Sequence, residues 1–357
     1  MLPPPLRRGD RVIVVAPASA PRDADRYRAG IDRLRQVYEV DVRFPPERCE
    51  TPHGYLSATD EERVSTLNAA FRDASARAVI AARGGYGCTR LLDRIDFSAI
   101  ASAPKWVIGY SDLTAIQWKL FEETGLVSAS GPVVTELGLF DPSFADQDAS
   151  TDEEATARIP LDHRLQTAPA GTWSAFEPVV TMAAQQPEER VNRSSRDGSR
   201  TLSLADASTL RVIRSGEAPV AGPLFAGTLS VIVALAGTPH MPDLRGGVLV
   251  LEDTGEAPYR VDRMLTQLRQ GGYLDDLAGV VLGAFRTGDV RLPTLDMETV
   301  LQEAFAGYDY PVVAGLRYGH ILPRLTLPIG ATAILDPRQN RVTLSIDLER
   351  STGSISA

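Results

Sequence analysis

The run Arg11-Val-Ile-Val-Val-Ala16 constrains this chain most. An unbroken β-branched run has no polar face, so as a strand it must be covered on both sides, the setting of a parallel sheet flanked by helices. It follows Gly9-Asp10 and stops at Pro17. A helical stretch runs from about Asp23 to Tyr38, with Tyr27, Ile31, Leu34 and Tyr38 on one stripe. Val40 to Phe44 reads as a second strand, and Ser57-Ala-Thr-Asp-Glu-Glu-Arg63 opens a helix with capping-type and acidic residues. Ala78 to Ala82 and Lys105 to Gly109 are two more short buried strands, the latter followed by a helix from Asp112 to about Thr124. Strands alternating with helices over short connections predict an α/β fold with an open, mainly parallel sheet.

With 357 residues, and ~100–200 residues per domain, two domains are expected. Periodicity fades between Asp141 and about Ser215, where Asp146-Gln-Asp-Ala-Ser-Thr-Asp-Glu-Glu154 and Ser194-Ser-Arg-Asp-Gly-Ser-Arg200 read as a linker and surface excursion. Strands return at Gly246 to Glu252, Leu277 to Gly283, Pro311 to Ala314 and Thr332 to Leu335, with a helix from Tyr259 to Gln270. Arg341 to Ile346 alternates as an edge strand would. The predicted division is an N-terminal domain over 1–170, a linker over 171–205 and a C-terminal domain over 206–357.

Several classes fall away. A formal charge of -9 without a basic run argues against nucleic-acid binding. Cys49 and Cys88 cannot build a disulfide framework, and sparse cysteine fits a reducing compartment. The N-terminal residues lack an apolar segment of signal-peptide length, and runs such as Leu229 to Ala236 fall short of a ~20-residue span. The expectation is a soluble cytoplasmic protein with no membrane partner. His53, His163, His240 and His320 show no metal-ligand spacing.

Ligands of open α/β sheets bind beyond the C-terminal ends of strands. Ser111 stands there, two residues after Gly109, and Glu252 ends a buried strand. Ser111 is either a helix-capping serine or an exposed nucleophile on a tight turn, although Leu113 replaces the second glycine of a G-x-S-x-G elbow. Arg83-Gly-Gly-Tyr-Gly87 is either a plain turn or a loop of N–H donors. His320 sits in a loop bounded by Gly319 and Pro323 and could serve as a general base, with Glu252 orienting it; equally, each could be structural.

Arg83-Gly-Gly-Tyr-Gly87, Gly109-Tyr-Ser-Asp-Leu-Thr-Ala115, Gly237-Thr-Pro239, Leu251-Glu-Asp-Thr-Gly-Glu256, Tyr259 to Leu268 and Gly319-His320 occur in the order of the L,D-carboxypeptidases. The chain resembles these serine peptidases, which include muropeptide carboxypeptidases and microcin C self-immunity peptidases, over nearly its whole length. The resemblance implies a Rossmann-like N-terminal domain and a swivelling β/β/α-type C-terminal domain. It implies nucleophile Ser111, acid Glu252, base His320 and oxyanion N–H groups on Gly85 and Asp112. It also implies no metal or organic cofactor, and a homodimer.

Three departures bear on the substrate. Ala226-Gly-Thr-Leu229 stands where many relatives carry Gly-Gly-Asn-Leu, so Thr228 replaces an asparagine. Ser130-Gly-Pro132 lacks a histidine that muropeptide-type members often show. The long middle segment is similar to that of microcin-immunity relatives, whose loop carries an aromatic for a nucleotide moiety; Trp173, with Phe176 second, is the candidate here, or it simply anchors the excursion. The leading expectation is release of terminal D-alanine from murein tetrapeptides in peptidoglycan recycling. The alternatives are hydrolysis of an aminoacyl- or peptidyl-nucleotide amide, and a non-catalytic two-domain binding protein.

Overall fold

The computed structural model describes residues 1–140, 201–205, 210–288, 290, 293, 295–322, 324–338 and 343–347. In chain order the first elements are β1 (Arg11–Val15), α1 (Ala24–Arg35), β2 (Glu39–Val42), α2 (Asp60–Arg72), β3 (Ala76–Ala81), α3 (Phe97–Ser102), β4 (Trp106–Gly109), α4 (Thr114–Thr124), β5 (Ser128–Ser130) and α5 (Val134–Leu137). There follow β6 (Thr201–Ala205), β7 (Arg211–Arg214), β8 (Val220–Thr228), α6 (Leu229–Leu235), β9 (Val248–Thr254), α7 (Pro258–Gln270), β10 (Gly279–Arg286), α8 (Met297–Phe305), β11 (Val312–Ala314), β12 (Leu327–Ile329), β13 (Thr332–Asp336) and β14 (Thr343–Asp347).

The chain forms two compact α/β units. One comprises Pro4–Leu113 with residues 131–140. Here β1 pairs in parallel with β2 and β3, and β3 with β4. Val12 to Val15 are all at most 2% exposed, as a run without a polar face requires. The α2 start is a capping box: Thr59 accepts the Glu62 N–H while the Glu62 carboxylate accepts the Thr59 N–H. Lys105, fully buried, closes the other end of α2 by donating to the carbonyls of Phe71 (2.6 Å) and Asp73 (2.8 Å).

The other unit holds the described residues from 201 onward, together with Met1–Pro3 and Thr114–Ser130. Its eight-stranded sheet has the order β6-β14-β13-β8-β9-β10-β11-β7. The central β8, β9, β10 and β11 run parallel. Antiparallel strands flank them, β7 on one side and β13, β14 and β6 on the other. The sheet is therefore mixed, with a parallel centre.

The compact units do not follow the linear division at 170 and 206. Helix α4 and strand β5 join the second unit because their partners lie there. Trp118, fully buried, packs edge-on against Phe225 with ring centroids 5.5 Å apart, and its indole N–H donates to Ala226 O at 3.0 Å. Strand β5 pairs antiparallel with β12. Nor is the 341–346 strand an edge: β14 lies between β13 and β6, and β6 falls in the stretch read as linker. No helix among the described residues is long and apolar enough to cross a membrane.

Candidate active site

Strand β4 is buried throughout and delivers the chain into a tight turn at its C-terminal end. Ser111 in that turn has φ +63°, a left-handed conformation that costs an L-residue roughly 1–2 kcal/mol. A nucleophile elbow uses a strained strand-to-helix turn of this kind, and an ordinary helix cap, with its β-region φ and ψ, does not need it. Gly109 is required in this turn, because a Cβ there would stand 2.4 Å from Leu113 Cδ2.

The glycine loop lies over the serine. A Cβ on Gly84 would be 3.0 Å from Ser111 Cβ and 3.3 Å from its Oγ. Gly85 has φ +118°, and a Cβ there would meet Ser19 Oγ at 2.3 Å. Three side chains brace this loop, and two of them, Ser19 and Arg63, were not singled out from the sequence. The Ser19 hydroxyl donates to Tyr55 O (2.6 Å) and accepts the Tyr86 N–H (3.2 Å). The buried Arg63 guanidinium donates to Pro17 O and to Gly87 O (3.0 Å), and pairs with Asp60 at 2.5 Å. Asp112, 5% exposed, accepts the Cys88 N–H at 2.8 Å. Burial pushes the Asp112 carboxyl up, against that N–H, and burial with Asp112 beside it pushes the Cys88 thiol well up. Asp112 thus ties the residue after Ser111 to the residue after the glycine loop. Neither Ser19 nor Arg63 carries a motif, since each acts from a separate segment.

Glu252 and His320 are brought together on the second unit. Glu252, 1% exposed, lies in the buried part of β9; its Oε2 accepts His320 Nδ1–H at 2.8 Å and the His320 backbone N–H at 3.1 Å. With Nδ1 held by the carboxylate, the ring carries its proton there, and Nε2 is the nitrogen able to take a proton from a reacting group. The His320 side chain is one-fifth exposed, enough for access to a substrate. Gly319 permits the approach: at φ +118°, a Cβ there would stand 2.6 Å from Glu252 Oε2. Arg286 on β10 donates to His320 O at 3.2 Å and fixes the loop from outside.

The neighbouring carboxyl does different work. Asp253 turns to α6, accepting the N–H groups of Ser230 and Thr254, both at 2.7 Å. Burial pushes its pKa up to about 6, opposed by those N–H groups and reinforced by Glu252. Tyr318, fully enclosed, shares a 2.7 Å hydrogen bond with Ser130, and its hydroxyl is pushed up by burial and by Glu252. Trp173 lies outside the described residues. Among the described residues no group of three His, Cys, Asp or Glu is placed to hold a metal ion.

An elbow serine under a loop of N–H groups, and a carboxylate–imidazole pair, are parts suited to acyl transfer. The family comparisons agree with that chemistry. Residues 12–131 match the LD-carboxypeptidase N-terminal domain and residues 221–335 the LD-carboxypeptidase C-terminal domain. The murein tetrapeptide carboxypeptidase of Pseudomonas aeruginosa is 30% identical over 93% of this chain and 94% of its own. The crystal structure of a muramoyltetrapeptide carboxypeptidase from Oxalobacter formigenes, 29% identical, superposes with a TM-score of 0.68 over 94% of this chain and 98% of that one. The microcin C7 self-immunity protein in complex with aspartyl sulfamoyl adenosine shares the fold, with a TM-score of 0.73 at 23% identity over 97% of this chain and 98% of that one. The chain belongs to the LD-carboxypeptidase family of serine peptidases.

Proposed function

We propose that this protein is a cytoplasmic carboxypeptidase that releases terminal D-alanine from L,D-linked murein tetrapeptides. The observation that carries the reading is the 2.8 Å bond from His320 Nδ1 to the buried Glu252 carboxylate, which prepares an imidazole to act as a base. Ser111 Oγ attacks the carbonyl carbon of the scissile amide while His320 Nε2 takes the hydroxyl proton. The carbonyl oxygen becomes an oxyanion held by the N–H groups of Gly85 and Asp112. Collapse of the tetrahedral intermediate breaks the C–N bond, and His320 returns the proton to the departing amine of D-alanine. Water, deprotonated by His320, then hydrolyses the acyl ester on Ser111. Glu252 keeps the ring in register and stabilises the imidazolium.

The murein substrate is favoured over a nucleotide amide by the identity and coverage of the murein enzyme from Pseudomonas aeruginosa, against 25% over 82% of this chain for the microcin C7 self-immunity protein of Escherichia coli. Incubation with free and UDP-linked tetrapeptide, with chiral detection of alanine, tests the assignment. D-alanine is released by the wild type and not by Ser111→Ala. A folded wild-type protein that releases none, yet cleaves an aminoacyl sulfamoyl nucleotide, moves the substrate to the second class. Trp173→Ala then slows that cleavage selectively.

A further inference from the structure

Thr228 closes β8 and is the N-cap residue of α6, yet its side chain does not cap the helix. A threonine at that position ordinarily accepts an N–H from the first turn. Here the hydroxyl is directed elsewhere, donating to Glu252 Oε1 at 2.5 Å. The β8–β9 register places Thr228 directly opposite Glu252. The helix is capped instead by Asp253, which accepts the Ser230 N–H at 2.7 Å. The displaced role is therefore filled by a neighbour, and the hydroxyl is left for the carboxylate.

Thr228 is itself fixed on its other side. It is 4% exposed, and its backbone N–H donates to the hydroxyl of Thr114, the first residue of α4, at 3.4 Å. Gly227 makes room for that contact, since a Cβ there would stand 2.3 Å from Thr114 Cγ2. Thr114 lies three residues after Ser111 in the chain.

We propose that Thr228 is a positioning residue that locks Glu252 in the rotamer that holds His320. This inference rests on the reading of Glu252 and His320 as the acid and base of the reaction. With Oε2 taken by the histidine and Oε1 by Thr228, both carboxylate oxygens are engaged. Removing the hydroxyl leaves Oε1 desolvated and frees the carboxylate to turn. It also makes the Glu252–His320 pair easier to protonate, because a donor that stabilised its anion has gone. Other titratable and charged groups facing the pair are Asp253 on β9, Tyr318 ahead of His320, Arg286 on β10 and Arg324, whose guanidinium donates to Gly319 O at 3.4 Å. The substitution leaves all of them in place.

The test is the second-order rate at which a fluorophosphonate labels Ser111, measured from pH 5 to 9, which needs no knowledge of the natural substrate. Thr228→Val, nearly isosteric, is expected to slow labelling ~10–100-fold and to move the acid limb of the profile upward by roughly half a pH unit or more. Thr228→Ser keeps the donor and is expected to stay within ~3-fold of wild type with an unmoved limb. If Thr228→Val does not fold, Thr228→Ala takes its place with the same expectation. A valine or alanine variant with wild-type rate and limb overturns the proposal, as does a serine variant as impaired as valine. Wild-type labelling in Ser111→Ala or His320→Ala would instead overturn the underlying triad, so the two failures are distinguishable.

Discussion

Glu252 Oε2 receives two hydrogen bonds from one residue, the backbone N–H and the ring Nδ1 of His320. The double contact fixes the position of the loop as well as the orientation of the ring. A carboxamide in place of the carboxylate would keep the shape and lose the charge that favours an imidazolium. Glu252→Gln is expected to lower kcat by about 10³–10⁴-fold with a folded protein, in line with loss of the acid from a serine triad. A fall of less than tenfold in D-alanine release would remove Glu252 from the mechanism.

Gly319→Ala tests the same contact sterically. The new Cβ would lie 2.6 Å from Glu252 Oε2 and 2.9 Å from its Cβ, at a φ of +118°. The expected outcome is a loss of about 1–3 kcal/mol in urea unfolding and a drop of about 10²-fold in kcat/KM from the displaced ring. Wild-type turnover in this variant would show that the His320 loop tolerates a shift of that size.

Ser111 should show a conflict between stability and chemistry. Its φ of +63° suits glycine better than any L-residue. Ser111→Gly and Ser111→Ala both lose the hydroxyl, so comparing them isolates the backbone. Glycine is expected to be the more stable by about 1 kcal/mol, after its greater unfolded-state entropy is set against the relief of strain. Equal midpoints, or a more stable alanine variant, would contradict a strained elbow.

Asp253 gives a pH signature independent of catalysis. Its carboxyl is pushed up to about 6 from 3.8, so the folded chain holds this proton more tightly than the unfolded chain. The contribution is favourable below about pH 4, and is lost as pH rises through about 6. Asp253→Asn does not titrate, so its stability relative to wild type should rise by about 2–3 kcal/mol between pH 4 and pH 7. Urea unfolding at the two pH values measures the difference; a constant gap would mean that Asp253 titrates normally in the folded chain.

The sequence was most informative where a pattern was local. The uniform apolar runs of β1 and β9 have no polar face, and the start of α2 is marked by Thr59 and Glu62 within one turn. Long-range structure left weaker marks. Strand β8 holds Gly222, Pro223 and Gly227, which obscure its period, and α6 has only seven residues, apolar apart from Ser230. The move of α4 to the second unit depends on Trp118 meeting Phe225 from more than a hundred residues away. Of the proposed catalytic residues, Ser111 and His320 stand in turns and Glu252 near the end of β9, each with motif neighbours. The loop supports Ser19, Arg63 and Asp60, and the Thr228 hydroxyl, come from segments that only folding brings near.

In the proposed reaction Ser111 is a nucleophile activated by His320. Intact-mass and peptide-mapping spectrometry after fluorophosphonate treatment tests this directly. The prediction is one adduct, located on Ser111, absent in Ser111→Ala and slowed at least ~100-fold in His320→Ala. An enzyme that still releases D-alanine after Ser111→Ala, or an adduct confined to a different residue, would contradict it.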